Sequence, residues 1–196
     1  MNHPDQEPDQ IYWTDGDPTT PVFQRPEEAE RLFALYTERA PRRVLEVGVY
    51  HGGTLKQWLQ RGKPERVVAV DLFLPRYDCR VKAEGWAREA NVELFTVQGD
   101  SRATGTVAAA TSLGPYDWIY IDADHSYQAV AADWRNYAPL IAPGGVVLFH
   151  DIVACPVRHP EMGVPQLWAE LKAAYRTTEI VEDYTAKWAG IGIVFL

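Results

Sequence analysis

Short apolar runs alternate with amphipathic stretches from Pro26 to the last residue, and that alternation predicts the order of elements. After Pro26, the acids Glu27, Glu28 and Glu30 precede Leu32, Phe33, Leu35 and Tyr36. A first-turn proline with acids at the positive end of the dipole predicts a helix over 26–40. Runs of β-type residues predict strands over 43–49, 66–72, 92–98, 116–122 and 146–150. Helical patterns over 54–61, 79–91 and 103–112 separate the first four. Before the fifth, Tyr127, Val130, Ala131, Trp134, Tyr137 and Ala138 recur at helical spacing as one apolar stripe, so Tyr127 and Trp134 read as core. Pro139 and Pro143-Gly144-Gly145 end that helix. A helix over 164–175 follows, then strands over 177–184 and 188–196 with only Thr185, Ala186 and Lys187 between them.

Repeated strand–helix alternation with runs such as VVAVDL and VVLFH predicts an α/β fold of three layers, with helices on both faces of a mostly parallel sheet. The last two of the seven strands are too closely joined for a parallel pair, so the sheet should end in an antiparallel C-terminal hairpin. That ending separates the fold from a plain dinucleotide-binding domain.

Residues 1–24 carry five acids before any Lys or Arg and four prolines, a composition that reads as an N-terminal arm on a single domain over 25–196. Tyr12, Trp13 and Phe23 within it pack the arm onto the domain on the simplest reading, or form part of a lid. With 46% hydrophobic and 23% charged residues the chain has a globular composition, and its net charge of −8 argues against a bulk nucleic-acid binder. No apolar run is long enough for a membrane span, and residues 1–10 do not read as a signal peptide. Cys79 and Cys155 lack metal or disulfide spacing, which together with the polar start suggests a cytoplasmic protein.

In an open parallel sheet, ligands bind beyond the carboxyl ends of the strands. Strand one ends in Glu46-x-Gly48-x-x-x-Gly52-Gly53, where glycines let the backbone approach a ligand. Asp71 ends strand two, where it can accept from a ribose diol. Gly99-Asp100-Ser101 follows strand three, where Asp100 can accept from an adenine amino group and Ser101 can donate to the ring. Taken singly, each glycine can be a turn and each Asp a helix cap. The dinucleotide pattern GxGxxG is not matched, because Tyr50 and His51 separate the glycines.

Together, this order of motifs and the closing hairpin resemble the class I S-adenosylmethionine-dependent methyltransferases, over roughly 26–196. The resemblance implies a Rossmann-like three-layer α/β/α sandwich, with Glu46, Gly48 and Gly52 around the amino-acid part of S-adenosylmethionine, Asp71 on its ribose, and Asp100 and Ser101 on its adenine. A second constellation adds chemistry. Asp122, Asp124 and His125 follow strand four, and His150 and Asp151 end strand five. Methyl transfer to a hydroxyl needs a proton removed and an oxyanion stabilised, tasks suited to a histidine base and a metal.

This pair of strand ends is similar to the macrocin and mycinamicin type of sugar O-methyltransferase and its cephalosporin-hydroxylase-like relatives. Those proteins carry Asp-Gly-x-His and then Glu-Asp. The resemblance implies Asp122 and Asp151 as ligands of a divalent metal, magnesium or manganese, and His125 with Asp122 as the catalytic pair. His150 stands where the family has a carboxylate, either as a neutral metal ligand or as no ligand at all, and a set with an imidazole suits manganese, iron or zinc better than one of oxygens alone. Asp124 or Ser126 can instead cap the next helix. His3, His51 and His159 show no comparable clustering.

The resulting reading is an enzyme that methylates a hydroxyl of a small molecule, without membrane or nucleic-acid partners. A metal-independent N- or C-methyltransferase, a non-catalytic binder of S-adenosylmethionine or a nucleoside, and an oxidoreductase are the alternatives, and a homodimer is left open.

Overall fold

A computed structural model describes residues 12–156 and 159–196. The polar start over 1–10, with His3, therefore lies outside the described residues. Strands β1 (Arg43–Val47), β2 (Arg66–Asp71), β3 (Glu93–Gln98), β4 (Tyr116–Ile121), β5 (Ile141–His150), β6 (Arg176–Ile180) and β7 (Ile191–Phe195) form one sheet in the order β3-β2-β1-β4-β5-β7-β6. The first five are parallel, and β7 runs antiparallel to both β5 and β6.

Helices α1 (Pro26–Arg39), α2 (Gly53–Arg61) and α3 (Arg80–Ala90) cover one face, and α4 (Thr104–Leu113), α5 (Tyr127–Tyr137) and α6 (Val164–Ala174) the other. The period-2 rule sorts the strand residues between two cores. Val44, Val67, Ala69 and Leu148 meet Leu32, Phe33, Leu55 and Trp58, whereas Leu45, Val47, Val68 and Phe149 meet Val130, Tyr137, Leu167 and Trp168. The α5 stripe packs as its spacing requires, with Tyr127 and Trp134 half-buried against the second core. This is the three-layer sandwich with an antiparallel C-terminal hairpin that the pattern predicts. No helix among the described residues is long and apolar enough to cross a membrane.

The hairpin differs from expectation in its turn. Its strands are joined by residues 181–190 rather than by three residues, and β6 stops at Ile180. Asp183 accepts from the backbone N–H and hydroxyl of Thr185, which opens a short 3-10 turn over Tyr184–Ala186. Lys187, Ala189 and Gly190 then adopt positive φ, so the chain cannot continue as a strand. Glu28 anchors this excursion. Its fully buried carboxylate accepts from the backbone N–H of Glu182 (2.8 Å) and of Gly190 (3.1 Å), and from the Gln24 side-chain amide. The sequence reads Glu28 only as a first-turn acid.

β5 also begins earlier than predicted, at Ile141, because Ile141 pairs with Tyr116 ahead of an irregularity in the β4–β5 register.

The described part of residues 12–24 packs on α1 and α2. Trp13 is buried, forms a bridge with Val22, stacks edge-on with Phe33 and donates its indole N–H to Glu30. Gly53 has no room for a side chain because Pro21 O would lie 2.1 Å from its Cβ. This fixes residues 21–23 over the start of α2.

Candidate functional site

Strand order reverses between β1 and β4, so their carboxyl ends diverge from a crevice, the usual ligand position in such a sheet. A cavity of about 700 Å³ opens there, walled by the loops after β1 to β5, by Tyr12 and Phe23, and by Trp188 from the β6–β7 connection.

Gly48 is a position that only glycine fits. Its φ is +90°, and a Cβ would sit 2.0 Å from the Asp122 carbonyl oxygen. Backbone bonds Gly48 N–H to Val70 O and Asp122 N–H to Val47 O, both 2.8 Å, lock these three strand ends together. Asp71 lines the cavity and also braces the loop above it. One carboxylate oxygen accepts from the N–H groups of Val49 (2.7 Å) and Tyr50 (3.2 Å), the other from Phe73 N–H (2.7 Å). Asp100 and Ser101 line the same side. Asp100 accepts from the Arg102 backbone N–H and guanidinium, which holds its carboxyl at about 2. Ser101 is steadied through its carbonyl, which accepts from the Tyr137 hydroxyl at 2.7 Å.

Two residues expected at the cofactor do not reach the cavity. Glu46 is buried on the α1–α3 side of β1, because alternation points it away from the cleft opening. Burial pushes its carboxyl well above the usual range, and the nearby Asp122 and Asp71 add to the effect. Gly52 lies behind the loop, where a Cβ would come within 2.9 Å of the Cys79 sulfur and 3.2 Å of the Trp86 ring. Both shape the loop from beneath.

The second constellation converges. His125 Nε2 lies 3.1 Å from Asp122 Oδ1 and 3.6 Å from Asp151 Oδ2. His150 Nδ1 lies 3.2 Å from the same Asp122 oxygen and 3.4 Å from Asp151 Oδ2. Asp122, His125 and His150 each offer one ligand atom within 4.8 Å of the others. Despite its neighbours, the buried Nδ1 of His150 makes no hydrogen bond.

Burial works against the charged form of Asp122, but His150 and His125 outweigh it and hold the carboxyl below its ordinary range. Burial likewise opposes charge on Asp151, and His150 again reverses the balance. For His150 and His125, burial would favour the neutral ring, yet the two aspartates raise both imidazoles, His150 most. Asp151 is further fixed by its left-handed backbone (φ 59°) and by the Ala189 N–H, which donates to its other oxygen at 3.1 Å. Asp124 instead accepts from Ser126 N–H (2.9 Å) and lies 3.6 Å from Arg102, so it serves the turn into α5.

Several contributors carry no signal in the spacing. Gly163 N–H donates to the His125 carbonyl at 2.7 Å, and Met162 bridges Ser126, so the segment before α6 supports the turn that carries His125. Asp133, a polar position in the α5 pattern, is fully buried, and its carboxyl rises to about 6 through desolvation, opposed by Ser101 and Arg102. His51 and His159, which show no clustering in the sequence, both face the cavity. Tyr12, Phe23, Tyr50, Tyr77 and Trp188 complete an aromatic rim.

Comparisons with known proteins agree with this architecture. The chain is 46% identical over 57 residues to the uncharacterized protein y4gI of Sinorhizobium fredii, a match covering 29% of this chain and 6% of that protein. It spans half or less of the curated relatives it matches. The O-methyltransferase from Bacillus cereus in complex with SAH superposes with a TM-score of 0.66 at 21% identity, over 87% of this chain and 81% of that one. The MycE methyltransferase of mycinamycin biosynthesis, in complex with Mg and SAH, gives a TM-score of 0.58 at 17% identity, over 88% of this chain and 50% of that one. Both show the same fold. A family model described as a methyltransferase domain matches residues 45–152, more than half the chain, from the middle of β1 to just past Asp151, and the chain therefore belongs to that methyltransferase-domain family.

Proposed function

We propose that this protein transfers the methyl group of S-adenosylmethionine to a hydroxyl of a small molecule, with His125 as the base. The carrying observation is the convergence of His125, Asp122, His150 and Asp151 at the switch point of a methyltransferase fold. The Bacillus cereus and MycE structures, which hold SAH and, in MycE, Mg, support this reading by analogy of fold.

Gly48 would admit the cofactor's amino-acid part, and Asp71, Asp100 and Ser101 face where its ribose and adenine would lie. When bound, S-adenosylmethionine supplies an electrophilic methyl group. His125 Nε2 donates to Asp122, leaving the other ring nitrogen to take the acceptor's proton as its oxygen bonds to the methyl carbon. The carbon–sulfur bond breaks in the same displacement, and S-adenosylhomocysteine leaves. Positioning is the main protein contribution to such an in-line transfer.

The donor set fits a divalent metal. His150 Nδ1 is a buried nitrogen with no hydrogen bond, and Asp122 and Asp151 place carboxylate oxygens beside it. Asp122, His150 and Asp151 would hold the ion, which would lend Lewis acidity at the acceptor oxygen. The mixed nitrogen and oxygen donors favour manganese, iron or zinc over magnesium. His125 could ligate as well, but its side chain is 37% exposed against 7% for His150, which suits a group that meets substrate.

Calorimetric titration with S-adenosylhomocysteine, followed by methyl-transfer assays with and without chelator, tests this reading. His125→Gln should retain cofactor and metal binding and lose at least about 100-fold in turnover. Unchanged turnover refutes the base, and absence of cofactor binding refutes the function.

A further inference from the structure

Six rings form a connected wall along one side of the cavity. Tyr12 packs at a tilt against Phe23 (4.4 Å between centroids) and meets Trp188 edge-on (5.9 Å). Phe23 contacts Tyr50 (5.3 Å), and Tyr50 contacts His51 (4.1 Å) and Tyr77 (4.5 Å). All six line the cavity, although they come from four separate segments of the chain.

The Trp188 end of the wall is tied to the reacting groups through the backbone. Trp188 precedes Ala189, whose N–H binds Asp151, and Asp151 lies 3.6 Å from His125. β5 and β7 lie on one side of β1 and β4 and β2 and β3 on the other, so the connection that carries Trp188 belongs to the half of the sheet opposite the strand ends that carry Asp71 and Asp100, and Trp188 lines the same cavity as His125.

The carboxylates of the aspartates that line the cavity are already engaged. No Asn or Gln lines the cavity among the described residues. Asp71 and Asp100 accept from backbone amides and Arg102, Asp122 and Asp151 face the histidines, and Asp124 holds its turn. A flat π-bearing ring meets faces and edges suited to it. A phenol also gives up its proton near pH 10, within easier reach of a histidine base than an aliphatic hydroxyl.

We infer that the acceptor carries its hydroxyl on a flat aromatic ring, and that Tyr12, Phe23 and Trp188 are the specificity-determining residues that stack it in front of His125. This rests on the methyl-transfer reading above and narrows its substrate to phenol-like molecules.

The test uses the full chain loaded with S-adenosylhomocysteine and two probes of one shape, 2-naphthol and its saturated counterpart decahydro-2-naphthol, titrated by calorimetry. Binding of 2-naphthol at least about tenfold tighter than the saturated alcohol is expected, with the preference reduced by about tenfold in Trp188→Leu and Tyr12→Leu and largely restored by Trp188→Phe. Affinity for S-adenosylhomocysteine should stay within about twofold in every variant, which also reports that each has folded. Equal binding of both probes, binding of neither, or variants that weaken the cofactor instead of the naphthol all overturn the inference. None of those results touches the methyl-transfer reading, which fails separately if the wild-type chain does not bind S-adenosylhomocysteine.

Discussion

Glu28→Gln is the most informative single change to the scaffold. Glu28 is fully buried, and its two oxygens accept from three donors: the N–H groups of Glu182 and Gly190 and the side-chain amide of Gln24. Glutamine keeps the volume but replaces one oxygen with an NH₂ group. Whichever way the new amide turns, a donor then faces a donor. If it faces Gly190, that partner is lost, while Gln24 can turn its unpartnered amide oxygen toward the new NH₂; if it faces Glu182, one is lost and the other two weaken with the charge. A hydrogen bond to a charged group is worth about 1.5–3 kcal/mol, and an orphaned buried N–H costs a further 1–3 kcal/mol or so.

Allowing for relaxation of residues 181–190, a net loss of about 3 kcal/mol follows. In a chain of this size that lowers Tm by about 6–12 °C. Differential scanning calorimetry measures the loss, and hydrogen exchange locates it: the Glu182 and Gly190 amides should lose protection while those of β1 and β4 change only with the global stability. A Tm within about 2 °C of wild type, or protection at Gly190 equal to wild type, would refute the assignment of Glu28 as the clasp of the β6–β7 connection.

Two further outcomes follow from groups buried beside the site. Asp133 has its carboxyl raised from 3.8 to about 6, so the fold favours its neutral form, and stability should fall as pH rises from about 4 through 6. Asp133→Asn removes that penalty: it should gain about 2–3 kcal/mol at pH 8 and nothing below pH 4, and thermal melts giving the same gain at both pH values would sink the burial account. Gly163→Ala would set a Cβ 2.3 Å from Tyr127 N, pushing apart the two segments that hold the His125 backbone. Turnover should drop by about tenfold or more with S-adenosylhomocysteine affinity preserved, whereas an unchanged rate would show that His125 does not depend on this support.

Much of the layout was legible in local pattern. Seven strands, the helices between them and the antiparallel ending follow from residue periods of 2 and 3.6 and from the lengths of connections, which are properties of neighbours in the chain. Asp122 and His125 could be paired in advance because only two residues of turn separate them at one strand end. Gly48 could be singled out because it falls where a strand must meet a ligand loop, although its reason for being glycine, the Asp122 carbonyl from a neighbouring strand, is tertiary.

Other residues took their roles from contacts that no local spacing encodes. Alternation along β1 turned Glu46 into the core beneath the cleft, a choice fixed by which helices pack on that face. Three positive-φ residues and the Glu28 carboxylate opened the expected three-residue turn into the excursion that brings Trp188 to the cavity. Asp133 interrupts the polar side of an amphipathic helix and is buried because α5 sits against the Ser101 turn. The sequence by itself determined which segments could be strands and helices, since backbone sterics and side-chain periodicity act over a few residues. Strand order, register and the packing of loops decided which distant side chains share one cleft, because desolvation and hydrogen bonding are satisfied only once the whole chain is in place.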